Sequence, residues 1–514
     1  MKRYDWFVLS VCILSLCGCN KFLNEEPDNR AKVESASDLQ ELLVSAYPQA
    51  TYHLICEMMS DNVADRGFGI DCVTAITDDE MYYWREGTDS DYDSPFSVWT
   101  GFYEGIAAAN YALRIIDSKP DQENYRAMRG EALLCRALGH FLLVNLWAEH
   151  YDPATAATAP GIPYVTEPET VAFKEYERKT VEEVYQLIEA DLRRGLQMID
   201  DQGYKMPKFH FTRRAAHAFA TRFYTYKGTD WDKVLYHSLQ AVPDDFRTEM
   251  RDLKGQNSLP AMEYALQYTD PGQTAILLSV CVPTYYNDIW QRCPIINSRY
   301  VLTPSMQLAL FPLSRSNLPG GVLLYRAEGL SGTSASNMMK SYGYFKNDAV
   351  NSRQGMSYLN VPLFTVEDVI LNRIEAYTML EDFDLAERDL NRFYSARVNN
   401  YRESENYVDL AFIMDFYAEP KWISNIPEPH YKGQLQADKR KLYLTMAVED
   451  LRRMEFMQEG MRWFDIKRFH LPVTHVLHWD RTEITLDRHD PRRLLQIPQE
   501  AQRAGVTPNE RPQE

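Results

Sequence analysis

Apolar residues recur at intervals of three and four along most of this chain. Behind Thr180-Val181-Glu182-Glu183, which reads as a capping box, Val181, Val184, Tyr185, Ile188 and Leu192 form one stripe, predicting an amphipathic helix. Ser37-Asp38-Leu39-Gln40 repeats the device ahead of Leu39, Leu42, Leu43, Ala46 and Tyr47. Longer stripes predict helices from Val98 to Asp117 and from Tyr125 to Trp147, and Thr212 to Lys227 and Trp231 to Ala241 read as a pair joined at Gly228. In "TVEDVILNRIEAYTMLEDFDLAERDLNRFYSARV", Thr365 to Val398, two helices and a short acidic turn occupy 34 residues. Tyr377, Ala386 and Leu390 fall at tetratricopeptide spacings, while Phe393 stands where that pattern prefers a small residue. Such a hairpin cannot bury its apolar face alone. Several together predict a mainly α fold, an α-solenoid-like scaffold of tetratricopeptide-like hairpins.

The pattern breaks between Gly255 and Phe364. Pro271-Gly272, Pro319-Gly320-Gly321 and "GLSGTSAS" punctuate short apolar runs such as Ile276 to Val282, which predicts an irregular, loop-rich lobe carrying a few short strands. Loops on a rigid frame are where binding usually resides. The expected division is a signal segment over 1–18 and one domain over 19–514, with the helical scaffold at about 37–250 and 365–470 and the ligand lobe at about 255–364.

The N-terminus follows a different rule. Lys2 and Arg3 precede an apolar run of 13 residues, Trp6 to Gly18, short of the roughly 20 a spanning helix needs. A charged start, a short apolar middle and small residues at its end make a secretory signal. Leu16-Cys17-Gly18-Cys19 resembles the bacterial lipoprotein box, so Cys19 is the expected lipidation site and mature N-terminus. Several acyl chains anchor a protein stably, where one gives marginal affinity.

Composition narrows the partners. A formal net charge of −18 argues against nucleic acid, which is held by Lys and Arg neutralising phosphates, and against docking on anionic lipid. Beyond Cys19, the cysteines Cys56, Cys72, Cys135, Cys281 and Cys293 form no CxxC or zinc spacing. Cys281 and Cys293 are the nearest pair for a disulfide, and the odd count leaves one thiol over.

"CNKFLNEEPDN", "SVWTGFYEGIAAANYAL", "RGEALLCRALGHFLLVNLW", the 34-residue hairpin, "RRMEFMQEGMRWFDIKRF" and "LQIPQEAQRAGVTPNE" together span nearly the whole chain. In that order they resemble the SusD/RagB family. The resemblance implies a surface-exposed outer-membrane lipoprotein, held by its lipid anchor, that binds a nutrient, usually a glycan, and no enzyme. It implies a SusC-like TonB-dependent barrel transporter as partner, to which the lipoprotein delivers oligosaccharide as a swinging lid. Glu25 and Glu26 stand where such proteins carry a surface-export signal.

Glycan binding needs flat apolar faces for sugar C–H groups and polar groups for hydroxyls, which aromatic rings with a polar handle combine. Aromatic residues make up 12% of the chain, so a cluster counts only outside regular stripes. Two qualify: Tyr82, Tyr83 and Trp84 in "MYYWREG", read as a polar loop, and Tyr285, Tyr286, Asn287, Asp288 and Trp290 in "PTYYNDIW". In the family, loop aromatics from comparable regions usually grip the ligand. Glu455 and Glu459 offer a carboxylate pair that a surface glycoside hydrolase would need facing one another, although arginines bridging them within packed helices is the favoured reading. Asp89, Asp91 and Asp93 imitate the start of a calcium loop but lack its Gly and closing Glu, so calcium is a secondary expectation and no other cofactor is expected. His470, His475, His478 and His489 lack an HExxH pattern, so no metal site is expected there. A peptide-binding or scaffold lipoprotein of the same fold is the other alternative.

Overall fold

The computed structural model describes residues 33, 35–69, 72–73, 75–169, 175–202, 204–287, 293–311, 321–329, 334–347, 354–421 and 426–512. The signal segment, Cys19, Glu25, Glu26, Asp288 and Trp290 lie outside the described residues.

Helix α1, Ala36–Val44, opens on a reciprocal cap: Asp38 N donates to Ser35 Oγ at 3.2 Å and Ser35 N to the Asp38 carboxylate at 2.9 Å. This cap lies two residues ahead of the expected one, because Asp38 reaches back to Ser35 while Ser37 is already inside the first turn. Next come α2, His53–Met59, and α3, Ile76–Tyr82. The long pair follows as α4, Pro95–Ser118, and α5, Arg126–Trp147. Helix α6, Val181–Met198, carries the predicted box, with Glu183 N donating to Thr180 Oγ1 and Thr180 N to Glu183 Oε2. Helices α7, Arg213–Lys227, and α8, Trp231–Ala241, flank Gly228, whose φ of +65° is the left-handed cap that glycine adopts freely.

Helices α5 and α6 touch through glycines. A Cβ at Gly195 would stand 2.7 Å from Leu134 Cγ and 2.9 Å from the Gly130 carbonyl. No larger residue fits this crossing without displacing a helix.

The tetratricopeptide-like hairpin consists of α9, Val366–Met379, and α10, Phe383–Arg397. Tyr377, Ala386, Leu390 and Phe393 are all buried, so the misfit Phe393 is absorbed in the core. Helix α9 packs on α7, α8, α10 and α11, Lys439–Glu455, which makes it the centre of the scaffold. Its side chains are buried along its whole length. Helix α12, Met461–Arg468, then packs on α2, closing the chain's end onto its beginning.

The lobe between the helical parts holds strands, as the broken pattern predicts. Its strands are β2, Ile276–Pro283; β3, Tyr300–Val301; β4, Tyr344–Asn347; and β5, Gly355–Thr365, while β1, Ala64–Asp65, comes from the N-terminal part. Strands β2, β5 and β4 form an antiparallel sheet in that order, while β1 pairs with β3. β5 runs directly into α9 at Thr365, whose hydroxyl caps the helix, so the sheet is tied to the scaffold without a linker. Near the C-terminus β6, Val473–Val476, and β7, Glu483–Leu486, form a hairpin. The five cysteines of the folded region are free thiols. Cys281 is exposed and Cys293 buried, so that pair is not joined.

Candidate ligand site

The sequence cluster Tyr82-Tyr83-Trp84 ends a helix rather than forming a loop. Tyr82 is the last residue of α3, and Trp84 takes a left-handed φ of 52° that turns the chain sharply. That turn carries the indole under the molecule's surface. The Trp84 ring lies 4.5 Å from the His475 ring at 18°, His475 lies 4.0 Å from Tyr82 at 13°, and Tyr82 lies 3.9 Å from Tyr300 at 14°. Four rings from α3, its end, β3 and β6 therefore pile into one continuous stack. All four are buried.

The polar edges of the stack are satisfied. Trp84 Nε1 donates to the Met59 carbonyl at 2.9 Å, and Tyr82 Oη accepts from Asp65 N at 3.2 Å. His475 sets its ring nitrogens 2.9 Å from the carbonyls of Tyr82 and Ser60, while burial lowers its pKa. Burial likewise raises the Tyr82 hydroxyl.

The second cluster divides in the same way. Tyr286 and Asn287 are buried: the Tyr286 hydroxyl donates to the Gln458 carbonyl and Asn287 to Ser341. Tyr285 is half-buried and meets Tyr92 edge to face at 5.8 Å. Asp93 fixes this junction, accepting from Thr284 Oγ1 and from Tyr285 N, each at 2.7 Å. Asp93 thus latches the turn that carries Tyr92 to the Tyr285 segment, some 190 positions further along. Four expected contacts are corrected: Tyr82, Trp84, Tyr286 and Asn287 offer no open face, because each is spent on packing and internal hydrogen bonds. Tyr83 and Tyr285 keep part of their rings exposed.

Around the stack lie open rings that the sequence clusters omitted. Phe68 is 62% exposed and Trp479 69%, and Tyr92 beside Tyr285 is 40% exposed. Phe68 sits under the Arg299 guanidinium at 4.6 Å, and that guanidinium is held by Asp65 at 2.6 Å. Trp479 lies in the turn between β6 and β7, edge to face with His478. Gly67 brings these two together: its φ is +77°, and a Cβ there would stand 2.6 Å from the His478 ring. The signal for Trp479 was legible as a lone large ring in the polar turn "HWDRT". Phe68 carried no comparable signal.

The carboxylate pair resolves into structure. Glu455 accepts from Arg397 Nε at 2.7 Å and Nη2 at 3.1 Å, and Arg397 in turn holds Glu367 at 2.7 Å. Its neighbour Glu459 takes the Lys340 ammonium at 3.0 Å and the Tyr268 hydroxyl at 3.0 Å. Both are buried, and the arginine partner draws the Glu455 pKa down despite burial. Asp89 accepts from Thr77 and from Asp91 N, so two of the three loop aspartates, Asp89 and Asp93, serve turn and latch hydrogen bonds. His475 stands in the stack, away from His470, which pairs with His489 at 5.0 Å. Among the described residues, no group of three or more His, Cys, Asp or Glu is placed to hold a metal. None of the described helices is long and apolar enough to cross a membrane.

A scaffold of helical hairpins with an inserted sheet defines a fold, and known structures share it. A SusD superfamily protein from Bacteroides thetaiotaomicron superposes with a TM-score of 0.62 at 17% identity, covering 92% of this chain and 99% of that one. One from Bacteroides fragilis gives 0.61 at 18%, covering 91% and 96%. A SusD-like carbohydrate binding protein from Bacteroides vulgatus gives 0.57 at 15%, covering 91% and 96%. Residues 21–225 match the SusD-like family described as "Starch-binding associating with outer membrane". No curated protein sequence matches the chain. The chain has the fold of these SusD superfamily structures, and its residues 21–225 match that family's model.

Proposed function

We propose that this protein is a glycan-binding lipoprotein of the cell surface, anchored to the outer membrane through Cys19, which passes oligosaccharide to a SusC-like TonB-dependent transporter. The observation that carries the reading is the set of open aromatic faces: Phe68, Trp479 and Tyr83 near the buried stack, and the Tyr92–Tyr285 pair latched by Asp93. Rigid rings bind sugar faces without loss of side-chain freedom on binding. Asp288 and Trp290 stay in the proposed site on the sequence argument, next to Tyr285 in the chain. The family's description and the carbohydrate binding protein of like fold support the ligand class.

A binding role without chemistry is supported by the fate of Glu455 and Glu459, which are buried in ion pairs instead of facing a cleft. The test is a panel of soluble polysaccharides run against the purified mature protein, with reducing ends assayed in parallel. The expected result is retention by at least one glycan with no new reducing ends. Turnover, or silence across the panel, contradicts the reading.

A further inference from the structure

Helices α4, α5 and α6 border an open pocket of about 400 Å³ with the segment 166–168 along one wall. Arg114 from α4, Arg129 and Arg136 from α5 and Arg194 from α6 line it, with Asp117 and Glu167 as the carboxylates of the wall. In a chain of net charge −18 this concentration of guanidinium groups is unusual. Arg136 is fixed: it grips Asp191 with Nε at 2.7 Å and Nη2 at 2.8 Å, and reaches Asn110 and the Thr166 carbonyl with Nη1. Arg129 is held by Asp117 at 2.6 Å.

Arg114 and Arg194 have no ion-pair partner among the described residues, and Arg114 rests on the Tyr111 ring at 5.0 Å. With Asp191 counted behind Arg136, four guanidinium groups face three carboxylates, so one positive charge is in excess at the cavity. The space suits a small ligand, and planar forks suit a carboxylate or sulfate oxygen pair. Leu113, Leu133 and Pro168 supply apolar wall around the charges.

We propose that this cavity is an oxyanion site, which takes the carboxylate or sulfate of an acidic sugar or the corresponding free ion. It does not depend on the aromatic site. The ligand's oxygens are shared between Arg114 and Arg194, while Arg129 and Arg136, already tied down, set the field. Arg114 approaches from α4 and Arg194 from α6, so a bound anion also links those helices.

The test is calorimetric titration of the full chain with sodium glucuronate and with sodium sulfate at fixed ionic strength, repeated on an Arg114→Gln/Arg194→Gln double variant. Both changed side chains are on the surface, and a melting curve checks that the variant folds. The expected result is saturable binding that weakens about tenfold or more in the double variant. Tighter glucuronate than sulfate puts the anion on a sugar, and sulfate equal or tighter makes it a free ion. Absence of saturable binding by both salts, or equal binding by the double variant, overturns the proposal.

Discussion

At the scale of single residues, two tryptophans sort the aromatic content into support and contact. Trp84 is enclosed, hydrogen-bonded and stacked, whereas Trp479 stands in a turn with most of its surface in water. Trp84→Ala should cost about 3–5 kcal/mol of stability through the cavity it leaves, and Trp479→Ala less than about 0.5 kcal/mol. Urea unfolding followed by circular dichroism measures both. A second residue answers to pH. Glu57 is buried, accepts from Gly460 N at 2.9 Å and Asn62 Nδ2 at 3.2 Å, and is pushed up to about 7 by desolvation. Its folded pKa exceeds its unfolded one, so its contribution to stability is full below the usual 4.5 and is lost as the pH rises through about 7. Glu57→Gln should therefore gain about 2–3 kcal/mol relative to the parent on going from pH 4.5 to 7.5. Paired thermal melts at the two pH values read this difference.

Among the elements, burial of charge sets the joints. Arg397 at the end of α10 binds Glu367 of α9 and Glu455 of α11, and Arg452 of α11 binds Asp368 of α9 and Asp465 of α12. Four helices are pinned in register by side chains with no access to solvent. Arg397→Met strands two buried carboxylates and should destabilise the fold by about 3–5 kcal/mol, measured as a lower urea midpoint. The same variant tests structure against catalysis, since the folded fraction should retain any glycan binding. Helix boundaries were legible from the 3.6-residue stripe and its caps, as at Thr180 and Gly228. That arginines bridge these carboxylates could be expected from the sequence, but not which one: Arg397 reaches Glu455 from 58 positions away.

For the whole molecule, the mainly helical character and the few short strands could be read from the chain, while the division of labour within the aromatic clusters could not. Tyr82 is buried because β3 brings Tyr300 and β6 brings His475 onto its two faces, from 218 and 393 positions further along. No local pattern encodes that meeting. The latch between Asp93 and Tyr285 is equally non-local, joining residues 192 positions apart. The resulting molecule is an acidic frame rich in helices, whose net negative charge disfavours nucleic acid.

The most direct measurement is calorimetric titration of a glycan hit from the panel into the parent protein and into a Tyr92→Ala/Tyr285→Ala/Trp479→Ala variant. The account predicts a loss of about 1–3 kcal/mol or more in binding free energy with the melting temperature little changed. Equal affinity in the two proteins would contradict it.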